Sequence, residues 1–421
     1  MPATSFSNRI LQIAAASLGL LLLSGGAAAQ SGGLSVNGYF KSYLFLFQPA
    51  WPDNAGLSGL STNRFRVDLS YKPRKWMDMD AAYDIVPRVQ SSDLSTDPLW
   101  FRQIDPFIYR AADLDRQLYP QESGAIKHFS LVQNFDRAMV TFHTQPADIT
   151  VGRQPVAWGS ARVVNPTDVL APFAFETLDT EDRIGIDAVR TRIPLGTLSE
   201  IDAGYVFGRH FRFENSAFFG RAKFNANKTD ISLLALGFQE NFLAGLDLAS
   251  SVSGAGLWLE TAYVFVDAFG DYGAGRKYDY FRASSGIDYS FGSSTYGFVE
   301  YHFNGAGAAS QRDYFSRLSR PAYTEGSVYL TGRHYLIPGV AYQLSPLVTL
   351  TGESLINLLD PSVFLTAQAE YNIATNVYLD VGAFIGIGRK PATEADEVPL
   401  VPQSEFGAYP NIYFASLRHY F

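Results

Sequence analysis

The feature that most constrains this chain is a strict alternation of apolar and other residues over stretches of nine to twelve residues. In residues 377–388, Val, Leu, Ala and Ile fill every second position, and Tyr, Asp, Gly and Phe stand between them. Residues 64–72, 77–85 and 363–372 repeat the pattern. A period of two predicts β-strands that have one apolar face and one polar face.

The length of these strands indicates a membrane. Strands of soluble sheets usually have about five or six residues, whereas a strand that crosses a bilayer at a tilt needs about 9–11. Because every backbone amide in lipid must be hydrogen bonded, strands cross a membrane only within a closed barrel. We therefore expect an all-β fold, a transmembrane antiparallel up-and-down β-barrel with its apolar face toward lipid and its polar face toward a wet lumen.

The connections between the strands alternate between short and long. The eight short links, rich in Gly, Pro, Asn and Ser as tight turns require, are 73–75, 144–147, 194–199, 225–228, 253–256, 292–294, 345–347 and 374–376. The longer links are 48–60, 88–128, 159–183, 209–215, 267–278, 304–326 and 389–407, with brief ones near 240 and 359. Eight turns and nine loops predict about 18 strands, with short periplasmic turns and long extracellular loops.

Three stretches do not follow the pattern. Residues 231–236 and much of 257–269 are apolar on both faces, so either they pack against a segment folded into the barrel or their phase is assigned wrongly. In the loop 88–128, Asp105-Pro106 precedes apolar residues at helical spacing, which favours a short capped helix. Another strand is the alternative there.

Residues 1–29 have the organisation of a secretory signal peptide. Arg9 precedes an apolar run from Ile10 to Leu23, and Ala27-Ala28-Ala29 forms a small-residue cleavage site. We therefore divide the chain into a signal peptide, 1–29, and a β-barrel, 30–421, exported by the general secretory route.

The end of the sequence resembles a known family. Tyr409, Tyr413, Leu417 and the final Phe421 give a last strand similar to those of the outer-membrane porins of Gram-negative bacteria. The resemblance implies an outer-membrane location, contact with outer-membrane lipid and lipopolysaccharide, and recognition of this end by the barrel-assembly machinery.

A second resemblance lies in the middle of the chain. Gly152-Arg153-Gln154, Trp158-Gly159 and Asn165-Pro166-Thr167-Asp168 are similar to a segment of poorly characterised bacterial outer-membrane proteins. Gly-Arg-Gln also resembles barrels that export alginate.

Composition excludes several classes of function. The chain of 421 residues has no Cys, which excludes disulfide scaffolds, Cys zinc sites and thiol catalysis. A net charge of −8 without a basic cluster argues against nucleic acid as a partner. The six His residues form no HExxH motif, and we expect no metal and no cofactor.

The best acid–imidazole pair for catalysis is Glu300 with His302, which share one face of a strand. Two polar residues wetted by lumen water explain the pair better, so no catalytic residue is assigned and the chain is not expected to be an enzyme.

Charged residues on the polar faces are the candidates for lining a pore. Arg64, Arg66 and Lys72 lie on one predicted strand, and Asp78, Asp80 and Asp84 face them from the next. Opposed charges of this kind either orient solutes and set ion preference or neutralise each other and stiffen the wall. The predicted pore-lining residues are Arg64, Arg66, Asp68, Asp78, Asp80, Asp84, Arg153, Glu353, Glu370 and Asp380.

The loop 159–183 is the candidate constriction, since its aromatic residues need an apolar surface. We expect it to fold into the barrel, with Arg153 and Arg162 facing the acidic residues at its end. An outward loop that caps the mouth or joins subunits is the alternative. The predicted constriction residues are Trp158, Arg162, Asp168, Asp179, Glu181, Asp182 and Arg183.

These expectations combine into a porin, a channel for passive diffusion of small hydrophilic solutes or ions, because barrels of about 16–18 strands leave an aqueous channel. A polysaccharide-export conduit is the first alternative. A barrel that anchors a partner protein or carries an enzyme activity at its rim is the second. The solute and a homo-oligomeric state stay open.

Overall fold

A computed structural model describes residues 33–50, 56–91, 94, 105–120, 128–393 and 400–421. The predicted signal peptide lies outside these residues. Eighteen long strands build the fold: β1 Leu34–Gln48, β2 Ser58–Arg74, β3 Met77–Gln90, β4 Phe129–His143, β5 Asp148–Gln154, β6 Ile186–Pro194, β7 Glu200–Val206, β8 Ala217–Ala226, β9 Thr229–Phe238, β10 Asn241–Val252, β11 Ala255–Phe265, β12 Tyr280–Phe291, β13 Thr295–Asn304, β14 His334–Ser345, β15 Val348–Asn357, β16 Ser362–Ala374, β17 Val377–Ile387 and β18 Asn411–Tyr420.

Each strand pairs antiparallel with the next along the chain, and the sheet closes on itself. β18 pairs with β17 on one side and with β1 on the other, where Leu46 lies opposite Tyr413. Phe421 continues this seam, because its backbone N–H and C=O both bond to Gly38 at 3.0 Å. The predicted 18-stranded antiparallel barrel is confirmed.

The eight short links form the turns at one end of the barrel. Asn227 and Lys228 both have positive φ, which is the geometry of a two-residue hairpin turn whose twist matches its strands. The longer connections lie at the opposite end, and the one before β14 runs from 305 to 333, beyond the predicted limit at 326.

The alternation places side chains as predicted. On β2, Phe65, Leu69 and Tyr71 are exposed on the outside, whereas Arg66 is buried inside. On β17, Leu379 and Val381 are outside and Asp380 is buried.

The doubly apolar strands are explained by packing inside the barrel. Leu233 on β9 is exposed outside, and Leu234 and Leu236 join an inner apolar cluster with Val156 and Leu170 from the loop after β5. Trp258, Ala262 and Val264 of β11 are likewise buried inward. The phase was assigned correctly, and the inner faces are apolar because chain segments cover them.

The predicted helix after Asp105-Pro106 is wrong. The described residues there form a turn, followed by a three-residue strand, Gln117–Tyr119, that pairs with β4. Two local turn bonds run from Ile108 N–H to Asp105 C=O and from Arg110 N–H to Phe107 C=O. The segment is also held by β6: Tyr109 C=O accepts from Asp187 N–H at 2.9 Å, and Ala111 N–H donates to the Asp187 carboxylate at 3.0 Å.

The helices in the described part of the chain are too short to span a bilayer. The α-helices are α1 Tyr272–Gly275, α2 Tyr314–Arg317 and α3 Pro321–Thr324. The 3-10 turns are Arg209–Phe211, Phe213–Asn215, Arg276–Tyr278, Gln311–Asp313 and Phe406–Ala408. A small hairpin pairs Ala392–Thr393 with Leu400–Val401.

Candidate functional site

The segment between β5 and β6, residues 155–185, lies inside the barrel, and we call it the inner loop. Its start is set by Gly152, whose φ of +115° and 2.1 Å approach of a built Cβ to Ala138 C=O leave no room for a side chain. Gln154 pairs with Ile186 across the base of the loop. The Gly-Arg-Gln motif thus ends one strand and turns the chain inward.

The inner loop is held by two apolar clusters. Val156, Val169 and Leu170 pack with inward residues of β9–β11, and Trp158 meets Phe219 edge-on at 4.7 Å between ring centroids. Further along, Phe175 packs edge-on against Phe364 at 5.1 Å. Burial of each such side chain stabilises the folded protein by about 1.5–3 kcal/mol. These contacts hold the inner loop against apolar parts of the barrel wall.

The acidic end of the inner loop meets cations of β1 and β2. Lys41 Nζ lies 2.9 Å from Asp179 and 2.6 Å from Glu181. Tyr39 donates a hydrogen bond of 2.6 Å to Asp182. Burial would raise the pKa of Asp179, but Lys41 and Arg64 hold it below its ordinary value.

The prediction that Arg153 and Arg162 face this acidic end is wrong. Arg153 is buried at the base of the loop and bonds to Asp187 at 2.7 Å and Asp113 at 2.8 Å. Arg162 bonds to Asp288 on β12. Both guanidiniums therefore pair with carboxylates outside the inner loop.

Arg183 and Asp168 form an ion pair within the inner loop. Burial raises the pKa of Asp168 to about 6, although Arg183 opposes that shift. Arg183 also stacks over Phe173 at 4.5 Å and donates to Ala171 C=O at 2.7 Å. The pair ties the middle of the loop to its end.

The remaining predicted residues on β2 and β3 point inward and are mostly paired. Arg64 bonds to Asp84 through two nitrogens, at 3.2 and 3.0 Å. Arg66 bonds to Asp68 at 2.9 Å. Nearer the turns Lys72 pairs with Asp78 at 3.2 Å, and Asp80 lies opposite Ser70.

On the far side of the barrel, Arg418 of β18 bonds to Asp380 at 3.0 Å and to Glu370. Glu353 of β15 lines a cavity described next.

Two cavities of about 620 and 640 Å³ lie inside the barrel. The first lies between the inner loop and β12–β17, and Arg162, Arg183 and Arg282 line it. The second, toward the turns, is lined by Asp179, Glu181, Glu370, Asp380 and Arg418. Leu178, Thr180 and Gln368 line both cavities, so the two spaces meet at this point.

Several important side chains were missed from the sequence. Asp136 of β4 accepts from Arg66, Arg110 and Arg137. Glu260 and Glu300 bind the inner loop; Glu300 was singled out only beside His302, and its contact with the loop was not expected. Glu260 is a lone carboxylate among the apolar inward residues Trp258, Ala262 and Val264, and that isolation is the signal that could have singled it out.

Glu300 and His302, the candidate acid–imidazole pair, have separate partners, and both are buried, whereas lumen water was expected to wet them. Glu300 bonds to the backbone of the inner loop, and His302 Nδ1 lies 2.8 Å from Ser284 Oγ. Among the described residues, no group of three or more His, Cys, Asp or Glu is arranged to hold a metal ion. The arrangement can bind and orient polar solutes in confined water.

No family model and no curated protein matches the chain. Solved structures do. A BenF-like porin from Pseudomonas fluorescens Pf-5 shares 12% identity at a TM-score of 0.54, covering 92% of this chain and 98% of that one. OccAB4 from Acinetobacter baumannii shares 8% identity at a TM-score of 0.55, and the match covers 93% of this chain and 99% of that one.

OpdK from Pseudomonas aeruginosa, solved with vanillate, shares 7% identity at a TM-score of 0.53, covering 92% of this chain and 98% of that one. At such identities the likeness concerns the fold. The chain thus has the fold of the 18-stranded outer-membrane porins over nearly its whole described length.

Proposed function

We propose that the protein is an outer-membrane channel through which small hydrophilic solutes diffuse without chemical change. The observation that carries this proposal is the pair of cavities that meet inside the closed barrel, lined by charged side chains. Lipid-facing apolar side chains outside and ionised groups inside are the arrangement of a water-filled barrel. The mixed charges of the lumen do not favour a polysaccharide-export conduit.

The inner loop is the constriction in this proposal. It lies between the two cavities, and its residues Leu178 and Thr180 stand opposite Gln368 where they meet. Fixed charges act most strongly on a solute where the water column is narrowest. The ion pairs of Asp179 and Glu181 with Lys41 border this point.

Arg282 of β12 favours solutes that carry an anionic group. Its side chain is buried, and its Nε and Nη1 atoms have no hydrogen-bond partner among the described residues. A buried guanidinium without partners gains from binding an anion. OpdK was solved with vanillate, which carries a carboxylate, and this agrees with a preference for anionic solutes.

The test is entry of vanillate, and of the uncharged aldehyde vanillin, into liposomes that contain the purified protein. In a second protein an Asn-Gly turn replaces the inner loop; this is feasible because Gln154 and Ile186 are already paired. We expect both solutes to enter several-fold faster through the loop-replaced barrel. In the full chain, Arg282→Met should slow vanillate and leave vanillin unchanged.

Folding is checked for each protein by its heat-modifiable migration. Entry no faster than in protein-free liposomes would refute the channel. Equal rates with and without the inner loop, in folded barrels, would place the constriction elsewhere.

The location and partners follow from the same proposal. Export through residues 1–29, a barrel over 30–421, contact with lipopolysaccharide and recognition of Phe421 by the barrel-assembly machinery would bring the chain to the outer membrane. The bonds between Phe421 and Gly38 at the closing seam support a role for this residue in assembly.

A further inference from the structure

The segment Trp158–Asp168, at the start of the inner loop, bonds to carboxylates of the wall. Trp158 Nε1 donates to Asp202 of β7 at 3.1 Å, and Ser160 donates to Asp247 of β10. The next strands supply Glu260 from β11 and Glu300 from β13. The segment that resembles part of other bacterial outer-membrane proteins is therefore bonded to several acidic side chains of the wall.

Glu260 is fully buried and takes four hydrogen bonds from the loop. Its Oε2 accepts from Ala161 N–H and Asn165 Nδ2, both at 3.0 Å. Its Oε1 accepts from Thr167 N–H at 2.9 Å and from the Thr167 hydroxyl at 2.7 Å. All four partners are hydrogen-bond donors on three residues, so Glu260 fixes three residues of the loop at once.

Gly159 shows how closely the loop fits Glu260. A Cβ built at Gly159 would lie 2.6 Å from Glu260 Oε2 and 2.5 Å from Asn165 Nδ2. The φ of Gly159 is +115°, a value that side chains rarely adopt. Glycine is required here because the carboxylate occupies the space beside it.

Glu300 binds the middle of the same segment. Its Oε2 accepts from Arg162 N–H at 2.7 Å and from Trp258 Nε1 at 3.0 Å, and its Oε1 accepts from Val164 N–H at 3.0 Å. Glu260 and Glu300, two carboxylates of the barrel wall, therefore each accept hydrogen bonds from backbone N–H groups of the segment Trp158–Asp168.

We propose that Glu260 and Glu300 are positioning residues that clamp the inner loop across the lumen and so set the size of the passage. This rests on the proposed channel function, in which the loop is the constriction. The alternative is that the apolar clusters alone hold the loop and that the two carboxylates merely find partners there.

The absence of Cys from the sequence allows a direct test of loop position. Val169 of the inner loop is 2% exposed. Val169→Cys is introduced in the otherwise intact chain, and its reaction with a membrane-impermeant maleimide is timed in folded protein. We expect slow labelling in this background, and labelling roughly tenfold faster or more after Glu260→Gln or Glu300→Gln, since an amide cannot accept all the N–H bonds.

Glu353→Gln is the matched control. It makes the same substitution at an inward residue that lines the cavity beside the inner loop, but no hydrogen bond in the described part of the chain joins its carboxyl group to the inner loop. Labelling should stay at the background rate. Faster labelling of this variant would show that lumen charge, and not the clamp, is responsible.

Two changes on the loop side keep the test decisive if the Gln variants do not fold. Gly159→Ala forces a methyl group against Glu260, and Thr167→Val removes one hydroxyl bond without changing charge. Both should speed labelling, Thr167→Val by less. Unchanged labelling in folded Gly159→Ala and Thr167→Val would overturn the clamp, even in a protein that conducts. A protein that conducts nothing would refute the proposed function, while the labelling rates still decide the clamp.

Discussion

The inner surface of this barrel has two contrasting sectors. In the charged sector, the inward faces of β1–β6, carboxylates and guanidiniums form a network in which Arg66 and Asp136 are each only 2% exposed. In the apolar sector, β9–β11, Leu234, Leu236 and Leu243 pack as in the core of a soluble protein. Both sectors belong to strands with the same period of two.

The difference shows that alternation fixes which side chains face inward but not what they do there. In the charged sector an inward side chain meets an opposite charge on a neighbouring strand or at the end of the inner loop. In the apolar sector it meets the buried middle of that loop. The inner loop thus presents its acidic end to the charged sector and its apolar side chains to the apolar sector.

The largest expected effect tests the charged sector. Asp136→Asn removes the negative charge that Arg66, Arg110 and Arg137 share, and leaves their guanidiniums with one counter-charge fewer. We expect the free energy of unfolding in detergent to fall by about 3–5 kcal/mol. Asp230→Asn on β9, whose exposed carboxylate pairs with Lys223, is the control and should cost about 1 kcal/mol or less. Equal losses would mean that burial of the network contributes nothing.

A similar or slightly smaller effect is expected in the apolar sector. Leu236 is fully buried against the inner loop, and Leu236→Ala should cost about 2–5 kcal/mol. Leu233→Ala, three residues away on the lipid side and half exposed, is the matched control with a smaller loss. The same denaturant titrations measure both. A larger loss at Leu233 would reverse the assignment of faces.

The smallest effect concerns Glu176, a carboxyl on the inner loop near Tyr329 and Tyr409. Burial raises the pKa of Glu176 from 4.5 to about 7. Because the folded loop favours the protonated form, its docking is strongest below about pH 4.5 and weakens as the pH rises to about 7.

Val169→Cys is labelled in the chain with Glu176 and in the same chain with Glu176→Gln. We therefore expect the ratio of the first labelling rate to the second to rise between pH 5 and 8. The ratio cancels the pH dependence of the thiol itself. A flat ratio would show that Glu176 ionises freely in lumen water.

The barrel could be predicted from the sequence because its strand signal is local. Residues 377–388 reveal their two faces without reference to any other strand, and the eight short turns reveal the hairpins. The site depends on distant pairs: Thr167 bonds to Glu260, 93 residues away, and Arg162 to Glu300, 138 residues away. Arg153 and Arg162 were assigned to the wrong carboxylates for this reason.

Charge type alone predicts that a guanidinium will find a carboxylate, but the choice among Asp113, Asp187, Asp288 and the acidic end of the loop depends on geometry. The false helix after Asp105 has the same origin, since its backbone partner is Asp187 on β6.

The even number of strands has a topological consequence. β1 starts and β18 finishes at the rim that carries the short turns, so both ends of the barrel-forming segment emerge on one side of the sheet. Only closed hairpin loops have to be carried to the opposite side, and neither end of the segment must be threaded through the bilayer. Insertion can therefore proceed hairpin by hairpin, with pairing of β1 and β18 as the step that seals the ring.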